Sequence, residues 1–313
     1  MYYDEPGLYT DVINPFPFPD VTWPYLHDCG FKWVTFQTYN PNLYPGVKTF
    51  DLPAVRAHGF TNVGVWGVIY SRTDFYSGGK ALGAAAKLQG ADHLIVDAEE
   101  CLKDTRSTAK AQDIIRGVRD GGWTGAVDLS TLGAPWSPSV NDYEMDTKSF
   151  LDTGGGVQSQ DYWNESENYT ISSANIYWPR VGVPLNKLSH TVALYQGVKS
   201  RIPGSDWVKA LKDNNVGKRY AVYMVQDGQK IDYDAFKAYN ETVVPISITP
   251  PTATETRNGM ADLARKWLLS QLPNQEVFSR IRIAKRVLIT TDAQWNSIST
   301  AIAQHLNDAG VSQ

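Results

Sequence analysis

Short apolar runs rich in β-branched and aromatic residues recur along the first three quarters of the chain, with stretches of helical periodicity between them. This alternation predicts a parallel βα protein. The runs follow one another at about 25 to 35 residues, close to the length of one βα unit. Their number predicts a (β/α)₈ TIM barrel from about Tyr9 to Tyr239. The predicted strands are Tyr9–Ile13, Trp33–Tyr39, Val63–Tyr70, His93–Asp97, Gly125–Ser130, Gly156–Tyr162, Thr191–Gln196 and Arg219–Gln226.

Helix signals fall between these strands. Asp51 is suited to cap a helix that has Pro53 in its first turn and Gly59 just beyond its end. Further helices are predicted over Lys80–Leu88, over Asp104–Asp120 and from Ser205 to Gly217. The Asn, Ser, Tyr and Pro residues of Glu165–Leu188 instead predict a long loop over the sixth and seventh units.

The sequence changes character after the last predicted unit. Residues 245–259 combine prolines with the Thr-rich run ITPPTATET, which is typical of an extended linker. Residues 260–313 show three amphipathic helical patterns, but a module of about 55 residues buries little surface alone. We therefore expect a barrel over 1–244, a linker over 245–259, and a small helical module over 260–313 that docks on the barrel or makes an assembly contact.

Composition and charge disfavour several classes of function. The chain of 313 residues has a formal net charge of -4 and no Lys/Arg run, so no nucleic-acid partner is expected. We also expect no membrane span, no metal ion and no other cofactor, because apolar runs are short and no Cys or His has metal-ligand spacing. The start shows no signal peptide, so action outside the cell would need a virion or a phage lysis system.

An acidic cluster ends the fourth predicted strand. Reacting groups of a βα barrel lie at the carboxyl ends of its strands. Alternation along the strand turns Asp97 and Glu99 the same way, toward the mouth of the barrel. Two carboxyl groups about 5 to 7 Å apart suit glycosidic hydrolysis, which needs a proton donor and an anion. Their mutual repulsion raises the pKa of one group and keeps it protonated as the acid.

Three parts of the sequence resemble glycoside hydrolase family 25, the peptidoglycan muramidases that bacteriophages often use as endolysins. They are Thr10-Asp11-Val12 with Trp23–Phe36, then Asp97-Ala98-Glu99, and finally Gln226–Phe236. The resemblance implies that Glu99 is the general acid, that Asp97 orients or stabilises the 2-acetamido group, and that Asp11 assists from the first strand. It also implies a cleft lined by Gln160, Tyr162, Tyr195 and Gln226.

Other side chains are further candidates for glycan contacts. Tyr70 and Trp163 lie at or just beyond predicted strand ends, where aromatic rings stack on sugars. Asp128, on the fifth strand, faces either the cleft or a structural hydrogen-bond partner on a neighbouring strand. Trp136 and Trp178 lie on predicted loops and are additional stacking candidates.

Two functions fit these features. The first is a glycosidase that cleaves an N-acetylated cell-wall polysaccharide such as peptidoglycan. The second is a non-catalytic barrel of a phage tail or surface assembly that binds a glycan or scaffolds other subunits. The second and third predicted strands depart from family 25, lacking its Lys, Glu and His-Phe residues. The spacing of Asp92, Asp97 and Glu99 also resembles the signature of family 18, with Ile95 in place of its middle Asp.

We predict that a chain ending at Val244 folds on its own, because all the predicted βα units precede the linker. Its circular dichroism spectrum should be that of a βα protein, and its thermal melt should be cooperative. An insoluble product, or a melt without cooperativity, would mean that the helical module completes the barrel core.

Overall fold

A closed barrel of parallel strands organises the part of the chain that the computed structural model describes, which is residues 2–11, 18–43, 46–70, 74–98, 102, 107–132, 146–166, 169–198 and 200–243. Within these residues, eight strands pair in chain order. Closure comes from the first and last strands, where Gly7 pairs with Ala221 and Leu8 with Val222. The expected (β/α)₈ barrel is therefore confirmed. The strands are β1 (Gly7–Thr10), β2 (Trp33–Tyr39), β3 (Asn62–Val68), β4 (Leu94–Asp97), β5 (Val127–Leu132), β6 (Val157–Gln160), β7 (Leu188–Ala193) and β8 (Tyr220–Tyr223).

Helices connect these strands and cover the outside of the barrel. The Asp51 side chain accepts a hydrogen bond from the Ala54 amide at 3.2 Å, as the capping pattern predicts. The predicted linker and helical module, residues 245–313, lie outside the described residues. The described helices are α1 (Trp23–Asp28), α2 (Leu52–Arg56), α3 (Phe75–Leu88), α4 (Ser107–Asp120), α5 (Lys148–Leu151), α6 (Ile171–Arg180), α7 (Gly204–Asp213) and α8 (Lys230–Thr242).

Helix α6 corrects the expected long loop over Glu165–Leu188. Thr170 caps this helix by accepting a hydrogen bond from the Ser173 amide at 3.1 Å. The helix buries Trp178, whose ring nitrogen donates to the Ser159 hydroxyl of β6 at 2.9 Å. Trp178 is therefore a core residue. Among the polar residues that suggested a loop, Thr170 caps the helix and Asn175 contacts His190 of β7, while the buried Trp178 ring anchors the helix.

Aromatic rings fill much of the barrel lumen, where branched aliphatic residues are the usual filling. The Tyr9 ring packs edge to face against Trp33 and against Trp66, with the ring centroids 5.8 Å apart in both contacts. The ring of Tyr2 closes the amino-terminal end of the lumen by stacking on His93 at 4.0 Å. The lumen is thus a packed core below the carboxyl-terminal mouth.

Helices α3 and α4 pack against each other through glycines. A Cβ added at Gly79 would lie 2.2 Å from the carbonyl oxygen of Ile114, and one at Gly83 would lie 2.2 Å from that of Val118. Such distances are far below van der Waals contact, so only glycine allows the two helix backbones to meet. The reciprocal contacts are those of Gly117 with the Tyr76 carbonyl and of Gly121 with the Lys80 carbonyl.

We predict that Gly83→Ala lowers the free energy of unfolding by about 1 to 3 kcal/mol, because overpacking outweighs the gain in helix propensity. Urea unfolding followed by circular dichroism measures this loss. Ala84→Ser, at the next and exposed position of α3, is the matched control and should change stability by less than about 0.5 kcal/mol. Equal stability of the two variants would contradict the close helix contact.

Candidate functional site

A cavity of about 260 Å³ opens at the carboxyl ends of β4 to β8. Active sites of βα barrels occupy this end, because the strands deliver their last side chains there. The cavity brings together four residues that the sequence predicted for the site, and it adds three that the sequence did not indicate. The lining residues are Asp97, Leu132, Gln160, Tyr162, Glu165, Tyr195 and Tyr223.

Asp97 is the last residue of β4, and hydrogen bonding fixes its carboxylate. Gln160 donates from Nε2 to Asp97 Oδ1 at 2.8 Å and also contacts the Ser130 hydroxyl at 3.0 Å. Asp97 and Ser130 are register partners on β4 and β5, so the three side chains join three adjacent strands. The residue is 8% exposed. Asp97 is therefore a nearly buried carboxyl group that Gln160 holds in the wall of the cavity.

Three tyrosines, Tyr162, Tyr195 and Tyr223, form one side of the cavity, here called the tyrosine wall. Tyr162 and Tyr223 stack with ring centroids 5.4 Å apart, and Tyr195 meets both edge-on at 6.0 Å. Burial raises the pKa of Tyr162 well above its usual value, and the neighbouring tyrosines and Asp97 add to the rise. The Tyr162 phenol thus stays protonated at neutral pH and can donate a hydrogen bond.

The loop after β6 places Glu165 at the cavity. A tight turn forms there, because the Glu165 amide donates to the Tyr162 carbonyl at 2.8 Å. The buried Asn164 then ties this loop to the next one, donating from Nδ2 to the Tyr195 carbonyl at 3.1 Å. Gly197 permits the approach, since a Cβ there would lie 2.5 Å from the Asn164 carbonyl oxygen. Glu165 and Tyr195 are therefore positioned together.

Asp11 and Gln226 form a second polar pair, where β8 closes onto β1. Gln226 donates from Nε2 to Asp11 Oδ1 at 2.8 Å. The backbone of Met224 is left-handed, with φ 59°, and this interrupts β8 just before Gln226. Burial raises the pKa of Asp227, and the Asp11 carboxylate raises it further. The mouth thus carries Asp11 and Asp227 in addition to the two carboxylates of the cavity.

The remaining predicted contact residues have other neighbours. The Tyr70 hydroxyl donates to Asn40 Oδ1 at 3.4 Å. Trp163 stacks on Trp207 of α7 at 4.1 Å, because Tyr162 takes the lumen side and the next residue turns outward. One face of the Trp163 ring is therefore covered by Trp207, and stacking of Trp163 on a sugar stays a prediction. Two of the predicted residues, Glu99 and Trp136, lie outside the described residues.

Asp128 faces the lumen but lies toward its amino-terminal end, so the structural alternative holds for it. Its carboxylate accepts hydrogen bonds at 2.5 Å from the Tyr2 hydroxyl and from the Gly156 amide. Burial raises the pKa of Asp128 to about 6, although both hydrogen bonds act to lower it. Asp128 therefore joins the segment before β1 to β5 and β6.

Two general features bear on ligands. Among the described residues, no group of three His, Cys, Asp or Glu side chains could hold a metal ion. Within the same part of the chain, no helix is long and apolar enough to cross a membrane.

We predict that Asp128→Asn changes how stability depends on pH. A carboxyl group whose pKa rises on folding stabilises the protein at low pH, and this contribution is lost as pH rises from about 4 to about 6. Asn keeps the shape, can accept from the Gly156 amide with Oδ1 and can donate from Nδ2 to the Tyr2 hydroxyl oxygen. The variant should therefore gain up to about 3 kcal/mol relative to wild type between pH 4 and pH 7. Urea unfolding across that range measures the difference, and a constant difference would contradict the raised pKa.

No protein-family model matches the sequence, and no curated protein matches it. Solved structures resemble it in fold. The GH18 chitinase ChiB of Flavobacterium johnsoniae is 9% identical, with TM-score 0.48, over 75% of this chain and 93% of that one. The spore cortex-lytic enzyme SleL of Bacillus megaterium is 8% identical, with TM-score 0.48, over 75% and 74%. An endo-β-N-acetylglucosaminidase of Cordyceps militaris is 13% identical, with TM-score 0.47, over 76% and 90%.

Proposed function

We propose that this barrel is a glycosidase that cleaves an N-acetylated cell-wall glycan, with peptidoglycan as the first substrate to test. The observation that supports this most is Asp97, a hydrogen-bonded carboxylate at the end of β4, in a cavity beside the tyrosine wall. Flat rings bind the apolar faces of pyranose sugars, while a fixed anion stabilises the positive charge that develops when a glycosidic bond breaks.

In this proposal Glu99 is the general acid. It gives its proton to the glycosidic oxygen as the bond from the anomeric carbon to that oxygen breaks. Asp97 orients the 2-acetamido group and stabilises the developing charge, and Gln160 keeps the Asp97 carboxylate in place. The protonated Tyr162 can donate to a sugar or acetamido oxygen. Water then adds at the anomeric carbon and gives one proton to the Glu99 carboxylate, which completes hydrolysis and restores the acid.

Asp11 has a supporting role in the same proposal. Its carboxylate lies at the mouth, where the Gln226 amide holds it at 2.8 Å. The pair does not belong to the cavity lining, so we place it beside the sugars that extend from the cleavage point rather than at the scissile bond. This position fits a role in assisting binding.

We predict that Glu99→Gln lowers the rate of hydrolysis by 10²–10⁴-fold, which corresponds to roughly 3 to 5 kcal/mol in the barrier. Asp97→Asn should also impair turnover, because it removes the negative charge beside the acetamido group. Glu100→Gln is the matched control and should change the rate little, since the alternation expected from the sequence would turn position 100 away from the mouth. Clearing of purified Gram-positive cell walls and release of reducing ends measure these rates.

Two outcomes would count against the proposal in different ways. Equal rates for wild type and Glu99→Gln on a verified substrate would remove Glu99 from the mechanism. Saturable binding of N-acetylglucosamine oligomers, without hydrolysis of any glycan tested, would instead favour a glycan-binding barrel.

A further inference from the structure

Carboxylates dominate the charge of the cavity. The charged residues among its described lining are Asp97 and Glu165, and both are acidic. Asp11 and Asp227 stand nearby at the closing strands, where burial and then the Asp11 carboxylate raise the pKa of Asp227. Clustered charges of one sign in a concave site raise the local concentration of ligands of the opposite sign. The mouth is therefore suited to a ligand that carries positive charge.

Glu165 is the carboxylate best placed to meet such a ligand. It accepts one long hydrogen bond, from the Val198 amide to Oε2 at 3.4 Å, which leaves acceptor capacity on both oxygens. Its backbone is fixed by the turn at Tyr162 and by the contact of Asn164 with the Tyr195 carbonyl. The side chain is half-buried, so a charge paired with it is only partly screened by water.

The tyrosine wall adds a second attraction for a cation. Tyrosine faces attract ammonium groups through the ring quadrupole, and the same faces hold the apolar side of a sugar. The Tyr195 carbonyl accepts the hydrogen bond from Asn164, which is the neighbour of Glu165 in the loop after β6. The aromatic surface of the tyrosine wall therefore extends to the loop that carries Glu165. An amino sugar placed on this wall would direct its amine toward a carboxylate.

We infer that the cavity takes a partly de-N-acetylated glycan, in which the protonated amine of one amino sugar pairs with Glu165 beside an N-acetylated sugar at Asp97. This inference rests on the proposed function and names its substrate class. An ammonium group supplies three donors to the carboxylate in charge-assisted hydrogen bonds. An acetamido group in place of the amine would carry no positive charge and would bring a carbonyl oxygen toward the Glu165 carboxylate. Glu165 is thus a specificity-determining residue.

The test compares two ligands on the full-length chain. Calorimetric titration measures binding of the N-acetylglucosamine tetramer and of the same tetramer with half of its acetyl groups removed, at pH 6 and low salt. Wild type should bind the half-deacetylated tetramer about tenfold more tightly. Glu165→Gln should reduce this preference to less than about twofold, and so should high salt with wild type. Glu241→Gln, at an exposed site on α8, is the matched control and should keep the preference.

Each alternative result has a distinct meaning. Equal or tighter binding of the fully acetylated tetramer would overturn the inference while leaving the proposed function in place. A preference that survives in Glu165→Gln would also overturn it, by removing Glu165 as its source. Binding of neither tetramer to wild type would reject the proposed function and the inference together. The salt titration uses wild type alone, so the test does not depend on the folding of a variant.

Discussion

Closure of the parallel sheet, where β8 pairs with β1, is the constraint from which the site follows. Since every strand runs the same way, closure gathers all the carboxyl ends into one ring. Gln226 and Asp11, at nearly opposite ends of the barrel sequence, thereby come within 2.8 Å of each other. The same geometry lets Gln160 of β6 reach Asp97 of β4 across the intervening strand. These polar pairs are thus set by which strand ends lie side by side in the closed barrel, and not by closeness in sequence.

The two ends of the lumen use carboxylates in opposite ways. Asp128, near the amino-terminal end, is buried and accepts hydrogen bonds from Tyr2 and Gly156. These bonds join neighbouring segments of the chain. Asp97, at the mouth, accepts a hydrogen bond from the Gln160 amide beside a cavity that can admit a ligand. Both side chains face the lumen, as alternation requires. Height along the barrel, and not the side of the strand, decides which of them can meet a ligand.

The order of the elements was predictable from the sequence, but the strand boundaries were less so. The apolar run Trp33–Tyr39 coincides with β2, because both of its faces are buried. The strand predicted over Thr191–Gln196 begins and ends too late. In the structure β7 ends at Ala193, and the following residues enter the loop that Asn164 contacts. Pairing with the neighbouring strands sets the ends of a strand, and that information is not contained in the run itself.

The same distinction explains which site residues the sequence could indicate. Asp97, Gln160 and Tyr162 follow the alternation of their strands, so pattern and fold class together place them at the mouth. Alternation could not indicate Tyr223. Counting every second residue back from Gln226 passes over position 223, but the left-handed backbone of Met224 breaks this alternation.

Alternation could not indicate Glu165 either, since its position depends on the non-local contact of Asn164 with the chain at Tyr195 and Gly197. The strands therefore fix where chemistry can occur, whereas contacts between loops decide which charge faces the ligand. Loop residues of this kind can change without disturbing the barrel core, so ligand preference can vary while the fold and the Asp97 position stay the same.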